Sequence, residues 1–358
     1  MKYRPPARLA AVATIALFAF GAAPPSASAS ASASEFPSRE TEAGTLAAVR
    51  DRGVLLCGVN EESGFAQRDG SGRYVGMRAD MCRAVAAAVL GDGEAVTFVP
   101  LFSAARFKAL AEGEIDVLMG GATWTMAREA AFDVHFTGTN FFEGQGFIAH
   151  RNLGYSSLAD VNQAVVCVIG ETTTVENLHA WIRATGKDIK PVELVTSDGA
   201  WNTFLAHNCD LMTNDLAGMV MALRDRTPDP DDFVVFPDVI SREPLSPAVR
   251  NDDPRWEAII RFTVNALILA EAKGITAAAA RAGQESEDPE VRRLLGLDPG
   301  IGAPVGLDDE WARRIIAAVG NYGEIFEHNL GQGSPYKMER GLNALWTDGG
   351  LLYPLPIR

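Results

Sequence analysis

Several kinds of chemistry lack their residues in this sequence. Its five histidines, His135, His150, His179, His207 and His328, are scattered, and none forms a His-Glu-x-x-His pair or neighbours a cysteine. That leaves no zinc-hydrolase pattern, and no Gly-x-Ser-x-Gly elbow presents a nucleophilic serine. The four cysteines, Cys57, Cys82, Cys167 and Cys209, include no Cys-x-x-Cys spacing, which excludes the common zinc and dithiol redox motifs. No motif calls for a metal or a cofactor. Positive charge is in the minority: 32 Lys and Arg face 46 Asp and Glu, for a net charge of −14. A chain of that sign repels nucleic acid and anionic membrane surfaces, so neither is expected as a partner. Beyond the first residues no apolar run approaches the ~20 residues of a membrane span.

What is present begins with a distinct leader. Lys2, Arg4 and Arg8 precede an apolar stretch over residues 9–23 and the tract "SASASASAS", which offers sites such as Ala29-Ser30-Ala31. This is the layout of a secretory signal peptide, expected over residues 1–33. Its apolar run is short for an anchor, and no cysteine lies nearby to carry a lipid. Removal takes the net charge to about −17 and leaves about 325 residues, enough for roughly two domains. In an exported chain an even cysteine count favours disulfides. Four cysteines allow three connectivities. Cys57–Cys82 and Cys167–Cys209 are favoured, each pair then lying within one lobe and each closure stabilising by about 3–4 kcal/mol; four buried thiols are the alternative.

Short β-rich runs alternate with helical spacing from residue 54. "VLLCGV", "VTFVPL" and "IDVLMG" read as strands, separated by the helices "CRAVAAAVL" and "AARFKALAEG". The order repeats: "AVVCVIG", "PVELV" and "CDLMTND" are strands, with "TTTVENLHAWIRATG" and "DGAWNTFLAHN" as helices. Two such modules predict two α/β lobes with parallel sheets. "FFEGQGFIAHR" leads into the second module and "PDVISREPLSPAVR" leads out. A long amphipathic helix, "PRWEAIIRFTVNALILAEAKG", needs a surface, and the first lobe supplies one. The chain then crosses between lobes twice, as in a hinged clamp.

Ligands of open α/β sheets bind beyond the carboxyl ends of the strands. In the first lobe these ends are Asn60-Glu61 and residues 120–123; in the second they are residues 170–174 and 213–215. "GGATWTMAR" lacks the Lys-Ser/Thr of a phosphate loop. Arg128 instead offers a planar fork for a carboxylate, with Thr123 and Thr125 as hydroxyls; a solvated Arg128 paired with Glu129 is the plainer alternative. "GETTTVE" opens a helix, where Thr172 and Thr173 can cap it, hold an anion, or do both. Asp215 can receive an ammonium group. Arg128 on one lobe and Asp215 on the other suit a zwitterion. "GQGFIA" imitates a dinucleotide fingerprint but leads into a strand, so it is set aside.

At these residues the chain resembles the periplasmic solute-binding proteins of amino-acid ABC transporters (the bacterial extracellular solute-binding family 3), in the general L-amino-acid-binding branch. The resemblance runs over roughly residues 42–358 through "CGVN", "CRAVAAAV", "TWTMAR", "FFEGQGF", "EPLSPAVR", "DPEVRRLLG", "NYGEIFEHNLG" and "RGLNALWTDGGLLYP". It implies a type II two-lobe binding fold joined by a two-segment hinge. The first lobe is expected over 42–142, the second over 143–243, a return to the first over 244–300, and a C-terminal helical extension on the first lobe over 301–358. It further implies a monomeric periplasmic protein that closes on an amino acid and docks on a membrane permease, with no enzyme activity. By motif, Arg128 holds the α-carboxylate assisted by Thr123, Thr172 and Thr173 donate from the second lobe, and Asp215 takes the α-amino group. Asn60, Glu61 and Glu171 complete the expected ligand set.

Three departures from the family pattern stand out. Arg78 in "GMRAD" replaces an acid, "MGGA" before Thr123 replaces a polar run, and Glu171 stands at a usual glycine. If Glu171 adopts positive φ it incurs a steric cost, and if it points into the cleft it disfavours acidic ligands. Two other functions are weighed: a periplasmic enzyme similar to cyclohexadienyl dehydratase, with Glu171 or Glu176 as acid, and a sensory module that presents a bound amino acid to a receptor.

Overall fold

The computed structural model describes residues 44–103 and 105–358; the expected signal peptide lies outside them. The first lobe opens with β1 (Leu55–Val59), a small hairpin of β2 (Gln67–Arg68) and β3 (Tyr74–Val75), then β4 (Val96–Pro100), β5 (Val117–Leu118) and β6 (Val134–Phe136). β7 (Phe141–Glu143) carries the chain across. The second lobe holds β8 (Gln145–His150), β9 (Gln163–Ile169), β10 (Asp188–Leu194), β11 (Leu211–Asp215) and β12 (Phe233–Val235). β13 (Glu243–Leu245) leads back to β14 (Ala248–Arg250) in the first lobe.

Both lobes share one sheet order, β4-β1-β5-β14-β6 in the first and β10-β9-β11-β8-β12 in the second. The expectation of parallel sheets holds for three strands of each and needs correction for the rest. β14 runs antiparallel to β5 and β6, and β8 antiparallel to β11 and β12. The reason is the hinge: β8 and β14 enter their sheets from it, so they run opposite to strands that point towards it. β7 and β13 form the hinge itself, paired antiparallel with Glu143 opposite Glu243.

Strand residues alternate between two buried faces, as a sheet covered on both sides requires. In β9, Val166 and Val168 join Phe147, Leu178 and Leu211 on one face, while Cys167 and Ile169 join Trp201, Phe204 and Met212 on the other. In β5, Val117 faces the large first-lobe core and Leu118 packs with Phe107, Ile115 and Phe136. The helix Pro254–Ala272 starts where the Asp253 carboxylate accepts from the backbone N–H of Arg255 and Trp256, with proline in its first turn. It buries Trp256, Ile260, Val264 and Leu267 against the first lobe, each such side chain stabilising by roughly 1.5–3 kcal/mol.

Disulfides join Cys57 of β1 to Cys82 and Cys167 of β9 to Cys209, each within one lobe. The C-terminal segment packs the helix Trp311–Val319 on the helix Met77–Leu90 and the helix Tyr322–Asn329 on Pro254–Ala272. It also reaches the second lobe and the hinge. Tyr336 donates its hydroxyl to Asp225 of the second lobe at 2.9 Å, and the Asn343 amide pairs with both backbone groups of Phe142 in the hinge. Among the described residues no helix is long and apolar enough to cross a membrane.

Candidate functional site

A cleft of about 390 Å³ lies between the lobes, where the carboxyl ends of the parallel strands meet. Asn60 follows β1 and fixes the opposite loop by accepting from Gly121 N–H at 2.9 Å. The segment after β5 is stitched to the hinge: Trp124 N–H donates to Pro244 O, and Ser246 N–H to Ala122 O, both at 3.0 Å. That stitching points Thr123 at Glu243. Thr125 caps the short helix Met126–Phe132, which carries Arg128. Arg128 is half-buried and donates Nη1–H to Thr123 O at 2.7 Å, not to Glu129. Burial lowers its pKa, while Glu243, Glu176 and Asp215 pull it back up.

The first-lobe departures explain one another. Arg78 is only 5% exposed; its guanidinium pairs with Glu62 and lies over the Phe65 ring. A Cβ on Gly121 would stand 2.4 Å from Arg78 Nη2. Glycine at 121 therefore vacates the volume that Arg78 fills. The Gly121 carbonyl accepts from Arg106 Nη1 at 3.1 Å. Burial, with Arg128 nearby, brings Arg106 down to about 9, so it stays cationic at neutral pH.

On the second lobe, Thr172 caps the helix Thr173–Thr185 and donates its hydroxyl to Ile169 O at 2.7 Å. Thr173 Oγ1 comes within 3.3 Å of Thr123 Oγ1, so the lobes touch across the cleft. Glu243, 3% exposed, sits beneath both: it accepts from Thr123 at 2.5 Å, Thr173 at 3.3 Å and Asn177 at 2.7 Å. Asp215, at the end of β11, lines the cleft, and no ion-pair partner of it is found among the described residues. Withdrawal from water raises its pKa, and the charges of Glu243 and Glu62 raise it further. Glu143 in β7 is raised likewise, by burial and then by Asp215.

Of the residues singled out from sequence, Asn60, Glu61, Thr123, Thr172, Thr173 and Asp215 line this cleft. Glu61 takes only an exposed rim position, held by Arg68 and the Tyr74 hydroxyl. Arg128 backs the loop of Thr123. Glu171 is not brought into the site. Its φ is +56°, the left-handed region that glycine would favour, and its side chain is exposed outside the cleft lining. Sequence reasoning missed Glu62, Arg106, Asn177 and Glu243. A hinge carboxylate and a helix-opening arginine carry no local pattern, and topology alone brings them here.

The matched family model, bacterial extracellular solute-binding proteins, family 3, covers residues 55–273. The chain belongs to that family. This solute-binding protein is 43% identical over 318 residues to a glutamate/glutamine/aspartate/asparagine-binding protein of Rhodobacter capsulatus, covering 88% of this chain and 94% of the relative. It is 42% identical to a general L-amino acid-binding periplasmic protein of Rhizobium johnstonii, covering 88% and 93%. A solved ABC transporter periplasmic binding protein from Brucella ovis, with glutathione bound, superposes with a TM-score of 0.86 at 41% identity, covering 88% of this chain and all of that one. These relatives are solute-binding proteins, and the chain is one of them rather than an enzyme.

Proposed function

We propose that this protein captures an L-amino acid between its lobes in the periplasm, as a monomer, and delivers it to an ABC permease in the inner membrane. The reading is carried by Asp215, which lines the cleft on one lobe where Thr123 and Thr173 meet, with Arg128 behind the Thr123 loop on the other lobe. Arg128 receives the α-carboxylate through its planar fork. The N–H groups opening the helix Thr173–Thr185 add donors and the positive end of the helix dipole. Asp215 receives the α-ammonium. Asn60 and Thr172 shape the walls.

Glu243 refines this picture. It already occupies the Thr123 and Thr173 hydroxyls, so the ligand carboxylate leans on Arg128 and the helix N–H groups rather than on those hydroxyls. The lobes correspond to residues 42–142 with 244–300, and to 143–243, with 301–358 bracing them; residues 1–33 direct export. The test is calorimetry of the unfolded-and-refolded mature protein against the common L-amino acids, with native mass spectrometry of whatever co-purifies. One-to-one binding of at least one amino acid is expected. Absence of binding to every one of them contradicts the reading.

A further inference from the structure

We propose that Glu243 is a positioning residue for ligand capture: from the hinge it ties the first lobe to the helix Thr173–Thr185 of the second, and so delays reopening of the cleft. The inference rests on the amino-acid reading above, since release of that amino acid is the step the latch slows.

Backbone hydrogen bonds show which lobe Glu243 travels with. On its C-terminal side β13 is stitched to the first lobe: Pro244 O accepts from Trp124 N–H, Leu245 O from Asn140 N–H, and Ser246 N–H donates to Ala122 O. On its N-terminal side the chain belongs to the second lobe, where Ile240 N–H donates to Gln145 O and Ser241 Oγ accepts from Gln145 N–H. The bend at this crossing therefore lies between Ser241 and Pro244. The Thr123 hydroxyl, in the stitched loop, holds the Glu243 carboxylate on the first-lobe side.

Two further bonds cross the moving boundary. Oε2 accepts from Thr173 Oγ1 at 3.3 Å, and Oε1 accepts from Asn177 Nδ2 at 2.7 Å, one helical turn further on. Glu243 is 3% exposed, and no cation lies within ion-pair distance of it among the described residues. A carboxylate so enclosed relies on its hydrogen-bond donors, and losing buried partners is costly. Rotation of the lobes about the bend removes Thr173 and Asn177 together, and water must take their places before the open form is reached. Neither Glu243 nor Asn177 lines the cleft. Their effect on the ligand runs through the closed geometry rather than through contact with it.

The test is stopped-flow measurement of association and release, using the amino acid that wild type binds most tightly. It compares wild type, Glu243→Ala, Glu243→Gln, Asn177→Ala and the double variant Glu243→Ala/Asn177→Ala, each checked for a native melting transition. In Glu243→Ala, release is expected to speed roughly 10- to 100-fold, while association changes less than about threefold. Glu243→Gln keeps one acceptor oxygen and should fall between. Asn177→Ala removes one crossing bond and should release roughly 3- to 10-fold faster; it decides the question if the hinge variants do not fold. The double variant should release no faster than Glu243→Ala alone, because the two side chains form one contact. Additive effects, an unchanged release rate, or tighter binding by Glu243→Ala overturn the inference and leave the amino-acid reading intact. Wild type that binds no amino acid overturns that reading. Small-angle scattering without ligand then decides the latch: Glu243→Ala should be more open than wild type, and an equally closed variant overturns the latch as well.

Discussion

Closure of the lobes brings Glu62 of the first against Gly218 in the first turn of the second-lobe helix Leu216–Arg226. Replacing that glycine tests whether this closed geometry is the one that holds ligand. In Gly218→Ala the added Cβ would stand 1.9 Å from Glu62 Oε1 and 3.0 Å from its Cδ. Ordinary contact needs a retreat of about 1.5 Å by the carboxylate. Glu62 Oε2 is held by Arg78 and by Asn60 Nδ2 at 3.1 Å, and breaking a buried pair costs about 3–5 kcal/mol. Separating the lobes avoids that cost. In the open form alanine is favoured over glycine within a helix by about 1 kcal/mol. The variant is therefore expected to melt at or above the wild-type temperature when unliganded, and to bind its amino acid at least ~10-fold more weakly, a loss of about 1.4 kcal/mol. Calorimetric titration reads the affinity, and small-angle scattering with saturating ligand reads the closure. The double variant Gly218→Ala/Glu62→Ala should lose no more affinity than Glu62→Ala alone, because the clash is gone. An affinity within twofold of wild type for the single variant would refute the reasoning.

Further perturbations follow from other parts of the structure. Replacing Cys167 and Cys209 with alanine opens a loop with a sequence separation of 42 and should lower the unfolding free energy in urea by about 4 kcal/mol; the Cys57–Cys82 pair, at 25, should lower it by about 3.5. Equal stability of either variant to wild type contradicts this. Burial lifts Glu143 to about 8, so the folded state holds a proton that the unfolded chain has released above the ordinary carboxylate range. Its contribution is stabilising at low pH and is lost as pH rises towards 8. Glu143→Gln should make the fall of unfolding free energy between about pH 5 and 7 shallower, by up to about 1.4 kcal/mol per pH unit, and an unchanged slope counts against it. Tyr336→Phe removes a hydrogen bond between the C-terminal segment and Asp225 of the second lobe. A loss of about 1 kcal/mol from the closed form is expected, read as faster ligand release in stopped-flow fluorescence; an unaltered rate would show that the contact survives opening.

Element types and their order were legible because strand runs and helical spacing are local signals. The cleft position was legible for a similar reason: the ends of parallel strands can be found in sequence, and Asn60, Thr123, Thr172 and Asp215 stand at such ends. What was not legible depends on distant chain segments meeting. β8 and β14 look like the other strands, yet they run backwards because they leave a hinge. Glu243 lies in "EPLSP" with nothing local to mark it, and becomes a buried acceptor only because Thr123, Thr173 and Asn177 converge on it. The two glycines of "GGATWTMAR" make the same point. Gly120 lies against Asn60, and the meaning of Gly121 depends on Arg78, which lies 43 residues before it and fills the volume that Gly121 leaves open. Glu171 was flagged for its missing glycine, and its φ is indeed positive. Its exposure removes the electrostatic role first attached to it.

The central claim is that an amino acid is held by Arg128 and Asp215 across the closed cleft. Calorimetric titration of Arg128→Ala with the amino acid that wild type binds most tightly tests it directly. Truncating one partner of a buried charge pair costs about 2–5 kcal/mol, so the account predicts an affinity at least ~30-fold weaker in a variant that keeps a cooperative unliganded melting transition. An Arg128→Ala protein that binds as tightly as wild type would contradict it.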